Sequence, residues 1–285
     1  MDQYLGPIIS KILEDLNYAI NYSINIGILP QRNVFLECPN CHHTMSFYPS
    51  TSTWKCHNHL CQASRSLLYP LDIKKNIFQT YLSSLILFSA DIPIYQAIKL
   101  FPISDQILYR NYSTFRSIIY QKYINELQTQ PLSFHVQIDE SLFAKRKYER
   151  GRIKQQRWVF GACDNNRGGR VYMVTVPKRN EANLLPIIQS WCPGGSIINS
   201  DCWGAYHNLQ ANGFNHFTVN HSQNFVDPIT QEHTQRIESL WKQCKMFLYT
   251  HYYNKSTDLD MYIGEFCFRY NHNKDMFQIA NAILS

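Results

Sequence analysis

Phe134, Val136 and Ile138 alternate with His135, Gln137 and Asp139, the period-two pattern of a strand with one buried face. The run closes on a carboxylate, Asp139, with Glu140 and Ser141 after it. At a strand end the sheet gives way to loop, so an acid there reaches a cleft. Immediately downstream lies the most basic segment of the chain, residues 145–157, with seven Lys and Arg against one Glu. The formal net charge is +6, so this segment accounts for all of it, and the remainder balances at 20 basic and 20 acidic residues. Charge this localised reads as a docking surface for phosphates. An acid held on a sheet beside a cationic hairpin suggests metal-dependent chemistry on a polyanion.

The residues beyond the basic segment narrow the fold. Arg157–Asp164 and Arg170–Val176 are apolar runs joined by Asn165-Asn166-Arg167-Gly168-Gly169, turn chemistry that predicts an antiparallel hairpin. Glu181–Trp191 fits a helix ended by Pro193-Gly194-Gly195. Ser196–Asp201 reads as another strand closing on an acid, Cys202–Asn212 as a helix stopped at Gly213, and Phe217–Asn220 as a last short strand. From Thr234, the residues Ile237, Leu240, Trp241, Cys244, Phe247 and Leu248 make an apolar helical stripe, with Glu238, Lys242 and Lys245 along its flank. Taken singly, Glu238 is a solvated helix acid and Asp201 a cap for the helix after it. Three antiparallel strands, a helix, then strands alternating with helices is the order of an α/β, ribonuclease-H-like domain, a mixed sheet flanked by helices. In such a domain acids from strand one, strand four and a late helix meet, and Asp139, Asp201 and Glu238 occupy those places.

The chain has 285 residues, 45% of them hydrophobic, enough for one large domain plus smaller modules. Residues 1–37 open with Ile8, Ile9, Ile12, Leu13 and Leu16 at helical spacing. Four of the nine cysteines then crowd into residues 38–61. Cys38 and Cys41 form one pair and Cys56 and Cys61 a second, which predicts a structural zinc in a small ribbon over residues 38–71. The second pair is wider than the usual knuckle, and His57 or His59 inside it could replace a thiolate. So few apolar residues separate the pairs that the segment needs a staple to fold. Cys163, Cys192, Cys202, Cys244 and Cys267 lie among apolar neighbours and read as buried free thiols.

Residues 72–130 read as a helical DNA-binding region. Ile92–Leu100, a break at Phe101-Pro102-Ile103 and a Ser104-capped helix to about Leu127 have helix-turn-helix proportions. An ordinary helical hairpin fits as well. Gln106, Tyr109, Arg110, Asn111 and Ser113 are the candidate groove-facing side chains. Pro131 marks the start of the main domain, over residues 131–285. No basic-plus-apolar signal opens the chain and no apolar run would span a bilayer, so a reduced, intracellular, soluble protein is expected.

These residues now resemble a known family. Gln137-Ile138-Asp139-Glu140-Ser141, with Lys145-Arg146-Lys147-Tyr148 and Arg150-Gly151-Arg152 after it, is similar to the first catalytic block of Merlin-type DDE transposases. Those enzymes are related to bacterial insertion-sequence transposases with an N-terminal zinc ribbon. Trp158-Val159-Phe160-Gly161, Ser200-Asp201-Cys202-Trp203-Gly204-Ala205-Tyr206, Val219-Asn220-His221-Ser222 and the block from His233 to Lys242 continue the likeness over residues 134–250.

The resemblance implies a DNA transposase that binds terminal inverted repeats, cleaves strands and joins 3′-hydroxyl ends to target DNA. Asp139, Asp201 and Glu238 would be the catalytic acids, holding two Mg²⁺ or Mn²⁺ per active site. Lys145, Arg146, Lys147, Arg150, Arg152, Lys154, Arg157, Lys242 and Lys245 would contact DNA. The enzyme would act on double-stranded DNA as a homodimer or higher oligomer, away from membranes, in the nucleus of a eukaryotic host or otherwise in the cytoplasm and nucleoid. His221 and His233 could position DNA or water but read first as structural histidines. Trp203 could stack on a flipped base but reads first as core packing. Two other functions share features with this one. A ribonuclease-H-like nuclease would use the same acids without strand transfer, and a domesticated DNA-binding protein would ignore them.

Overall fold

The computed structural model describes residues 2–51, 53–68, 71, 73–143, 157–166, 168–201, 203–218, 235–251 and 259–285. They form two units, one of Met1–Phe115 with Met276–Ser285 and the other of Arg116–Asp275.

In the first unit, α1 (Asp2–Glu14) and α2 (Leu16–Asn25) are separated at Asp15. Its carboxylate accepts from the N–H groups of Asn17 and Tyr18 at 2.8 and 3.1 Å, capping α2. Four short strands follow, β1 (Leu36–Glu37), β2 (Thr44–Tyr48), β3 (Thr53–Cys56) and β4 (Ser64–Ser66), paired in sequence order as an antiparallel sheet. Its buried centre is small, just Cys38, Met45, Trp54 and Ala63. The helices α3 (Phe78–Ser89), α4 (Ile94–Leu100) and the N-terminal half of α5 (Asp105–Thr129) complete this unit, with α9 (Met276–Leu284) packed on α3. Asn111 is buried and donates to the Ser84 hydroxyl at 3.1 Å. It is therefore a packing residue, unlike the half-exposed Tyr109 that precedes it on α5.

The second unit is a mixed five-stranded sheet. β5 (His135–Leu142), β6 (Trp158–Asp164) and β7 (Val171–Val176) are antiparallel neighbours, while β8 (Ile197–Ser200) and β9 (Asn215–Thr218) run parallel to β5. The spatial order is β7-β6-β5-β8-β9. One face takes α6 (Glu181–Trp191), whose Trp191 stacks on Phe160 with ring centroids 5.7 Å apart. The other takes α7 (Gln235–His251), whose Trp241 lies so close over Gly161 that a Cβ there would stand 2.6 Å from the indole. Glycine is what lets the helix approach this closely.

The outer edge of β7 is not left open. The Tyr123 hydroxyl donates to the carbonyl of Met173 and accepts from its N–H, both at 2.8 Å. The Asn271 side chain, at the end of α8 (Leu259–Asn271), meets both backbone groups of Val171 in the same way. Two side chains thus satisfy the alternate residues a further strand would have used. On α8, Glu265 is fully buried, and its carboxylate is held low in pKa against the cost of burial by Arg116 at 2.6 Å and Arg269 at 2.8 Å.

Two expectations need correction. β5 does not have one buried face, because Val136, Gln137 and Ile138 are all buried while Phe134 is 65% exposed. As the central strand it has a helix over each face. Cys202–Asn212 is not a helix, since the described part is a single 3-10 turn at Gly204–Tyr206 followed by irregular turns to Gly213. Gly204, Asn208 and Asn212 are weak helix formers, and Tyr206 is drawn inward by a bond to β5. Among the described residues, no helix is long and apolar enough to cross a membrane.

Candidate active site

Parallel pairing places the C-terminal ends of β5 and β8 at the same edge of the sheet. Gln137 lies opposite Asn199, so Asp139, inside β5 and not at its end as expected, and Asp201, one residue past β8, follow two residues later. Glu238 sits in the first turn of α7, which packs on β5 and β6. The three acids expected to meet are thus brought to one place. Asp139 is pushed up to about 6, first by burial, with the charges of Asp201 and Glu238 adding and the Trp241 indole N–H opposing. That N–H donates to Asp139 Oδ2 at 2.9 Å. Asp201 Oδ1 accepts from the backbone N–H of Trp203 at 3.0 Å.

A fourth acid belongs to this edge and is absent from the residues expected at the site. Glu140 points to the opposite face from Asp139, where the buried Tyr206 hydroxyl donates to its Oε1 at 2.6 Å. Burial first, then the charges of Asp139 and Asp201, push Glu140 up to about 7, with the Tyr206 hydroxyl and Arg179 opposing. Its neighbour in sequence hides it, since a paired Asp-Glu within a strand shows only that one of the two faces the cleft.

A carboxyl whose proton affinity is higher in the fold than in the unfolded chain contributes most below its unfolded pKa, and that contribution is lost as pH rises through the folded value. For Asp139 and Glu140 the loss falls between about pH 4 and pH 7. In metal-free protein, Asp139→Asn should therefore raise stability at pH 8 by about 1–3 kcal/mol and change it little at pH 4. Urea denaturation at the two pH values measures this. An equal effect at both would mean that the Asp139 charge carries no such cost.

Gln137 is the second residue that the sequence does not single out. Its side chain is fully buried, and its Oε1 accepts from the backbone N–H groups of Arg236 and Ile237, each at 3.1 Å. These are donors that the first turn of a helix leaves unpaired. Gln137 thus caps α7 from a strand a hundred residues away and sets the position of Glu238, while its amide nitrogen donates to Asn165. Gln137→Leu strands two buried donors and should cost about 1–3 kcal/mol in urea denaturation. A loss no greater than that of a surface substitution would refute the capping role.

Of the expected phosphate contacts, Lys145, Arg146, Lys147, Arg150, Arg152 and Lys154 lie outside the described residues, as do His221 and His233. Arg157 is half-buried where β6 begins, and its carbonyl accepts from the N–H of Phe143. Lys242 is exposed on α7. Lys245 instead folds back, donating to the Ser141 hydroxyl at 2.7 Å with its ammonium 5.3 Å from the Phe143 ring. Trp203 is 39% exposed, which overturns the core-packing expectation. Cys163, Cys192, Cys244 and Cys267 are buried free thiols, and Cys202 lies outside the described residues.

In the first unit, the sulfur atoms of Cys38, Cys41, Cys56 and Cys61 lie within 4.8 Å of one another. Among the described residues no other three His, Cys, Asp or Glu come together this tightly, so the acids at the sheet edge stand further apart. The backbone N–H of His43 pulls the Cys41 thiol down to about 6, while burial pushes Cys56 up to about 12 and the neighbouring thiols raise Cys61, so without a cation the four do not ionise together. His57 bonds the Ser46 hydroxyl at 2.6 Å, and the four thiols complete the set without it. Four sulfurs so close could hold a metal ion.

Comparison with known proteins agrees with this picture. The profile of the ISXO2-like transposase domain matches residues 131–271. The chain is 30% identical over 111 residues to an "Uncharacterized transposase-like protein" of Haemophilus influenzae, a match covering 39% of this chain and 89% of that relative. No solved structure matches. A mixed sheet with acids gathered at one edge, and a likeness spanning that whole sheet, place the chain in a family: it belongs to the ISXO2-like transposases, of the bacterial insertion-sequence type.

Proposed function

We propose that the chain cleaves DNA at transposon ends and joins the freed 3′-hydroxyls to target DNA, with Asp139, Asp201 and Glu238 as its catalytic acids. The observation that carries this reading is the convergence of three carboxylates from β5, the end of β8 and α7, close enough for two of them to raise the proton affinity of the third. The strand order β7-β6-β5-β8-β9, antiparallel then parallel, supports assignment of Arg116–Asp275 to the ribonuclease-H-like fold.

Acids that repel one another at a sheet edge fit hard divalent cations, whose charge removes the repulsion and whose preference is for oxygen. Mg²⁺ or Mn²⁺ held by Asp139, Asp201 and Glu238 would activate the attacking hydroxyl and stabilise the departing oxygen of an in-line displacement. The protein supplies the placement. Trp241 holds Asp139 by its indole N–H, the Trp203 N–H holds Asp201, and Gln137 fixes the helix end that carries Glu238. Each bond restricts the rotation or position of an acid, so the site is organised before DNA arrives.

The four thiols suit a structural zinc, since they make a closed tetrad with no place left for substrate. With the helices α3 to α5, in helix-turn-helix proportions, this ribbon would recognise the inverted repeats. The basic segment 145–157 would hold phosphates near the cut, and two or more copies would pair the ends. The test offers purified protein with Mg²⁺, a duplex carrying the element's ends and a target plasmid. Nicked and joined products are expected together. Cleavage with no joined product would make the protein a nuclease, and neither product on any duplex would end the reading.

A further inference from the structure

We propose that Trp158, Arg179 and Trp203 form a stacking platform for one unpaired nucleobase beside the acidic edge. This rests on the reading that the chain acts on DNA. Trp158 opens β6, Arg179 lies in the loop between β7 and α6, and Trp203 stands two residues past Asp201. The Arg179 guanidinium is sandwiched between the two indoles, its Cζ 4.3 Å from the Trp158 ring and 4.1 Å from that of Trp203. The Trp203 Nε1–H donates to the Arg179 carbonyl at 3.2 Å, which sets the tilt of the ring. The result is one cation held against both indoles, and Trp203 keeps 39% of its surface exposed.

A Trp that served only to pack would be expected to turn this surface inward, because burying an indole is among the larger apolar gains available. Here a hydrogen bond and a cation–π contact hold it outward instead. An open surface groove of about 370 Å³, lined by Trp158, Pro177, Lys178, Arg179 and Asn180, runs along the Trp158 and Arg179 side of this cluster. Lys178 is exposed there and adds a cation for the phosphate attached to a base. Aromatic faces beside cations are how proteins take single bases without reading their sequence.

The position gives the platform a purpose. The backbone N–H of Trp203 holds Asp201, and the Arg179 charge reaches Glu140, so a base seated on the indole keeps its own phosphate next to the acids. Inside a duplex both faces of a base are covered by its neighbours. The base that stacks here must therefore be terminal or turned out of the helix.

The experiment uses the full chain and two duplexes containing 2-aminopurine, one fully paired and one with the fluorescent base unpaired at its end. Wild-type protein should bind the second about tenfold more tightly and quench its fluorescence. Trp203→Ala should lose that tenfold preference and the quenching while binding the paired duplex as before. Trp203→Phe, which keeps a stacking ring, should retain most of both. Equal wild-type affinity for the two duplexes would overturn the proposal, and this comparison stands even if Trp203→Ala does not fold. A variant that weakens both duplexes equally would overturn it too. Binding of neither duplex by wild type would refute the DNA reading beneath it.

Discussion

Asp139→Asn, Asp201→Asn and Glu238→Gln, made singly, are each expected to reduce DNA cleavage below about 0.1% of wild type. Losing a hydrogen-bond partner of a metal ligand typically costs about 10–100-fold, so losing the ligand's own charge must cost more. DNA binding should stay within about twofold, because a removed acid takes no phosphate contact with it and slightly lessens repulsion of the polyanion. Folding should survive as well. Asp139 is pushed up by burial and by its two neighbours, so neutralising it relieves a cost that the metal-free fold bears. Supercoiled plasmid nicking in Mg²⁺, with gel shifts on the same preparations, measures both effects. Cleavage near the wild-type rate in Glu238→Gln would remove Glu238 from the site, and loss of binding in step with cleavage would make the acids structural. Glu140→Gln is the informative companion. Glu140 lies on the other face of β5 and is held by Tyr206, so its loss should lower the rate by a smaller factor than any of the three.

Cys41→Ala is expected to release the zinc and unfold residues 36–66 while leaving Arg116–Asp275 folded. The apolar centre of that segment is Cys38, Met45, Trp54 and Ala63. Burying so few side chains contributes only a few kcal/mol, at about 1.5–3 for each large one. So small a centre cannot by itself order the segment, and a structural zinc, whose binding energy becomes folding energy, is the staple that can. Hydrogen exchange read by mass spectrometry should show the protected amides of β2 and β3 becoming fully exchanging in Cys41→Ala and in chelator-treated wild type alike. The urea transition of the five-stranded sheet should not move. Wild-type protein that carries no zinc and titrates all four thiols freely would refute the assignment.

Much of the architecture is legible in the residue order. The hairpin of β6 and β7, the helix Glu181–Trp191 and the apolar stripe of α7 are local patterns, and the observed elements start and stop within a residue or two of them. The cysteine spacing foretells the tetrad, because two knuckles on adjacent hairpins converge whenever the strands pair in order. The family likeness rests on blocks that all lie within the profile match over residues 131–271.

Other features stay hidden for a physical reason. The alternation of Phe134 to Asp139 reads as one buried and one open face, yet Gln137 is as buried as Val136 and Ile138. Periodicity reports which side chains share a face and is blind to what covers that face. A helix arriving from residue 235 makes the Gln137 side buried, and its unpaired N–H groups make a buried amide stable there. Trp203 and Tyr206 show the same limit. Both lie in a segment that reads from the sequence as a helix and is not one, and only the positions of Glu140 and Arg179 turn one inward and leave the other at the surface.

The sequence by itself determined the β6–β7 hairpin, the helix α6, the apolar stripe of α7 and the thiol pairs, since each depends on neighbours within a few residues. The tertiary structure alone decided that β5 and β8 pair in parallel just before the two aspartates, that a glutamine caps the helix bearing Glu238, and that Glu140 shares their charge. Those outcomes are contacts between residues some sixty to a hundred positions apart. No local preference encodes them, because they arise only when the closed core leaves a buried donor, acceptor or charge that must find a partner.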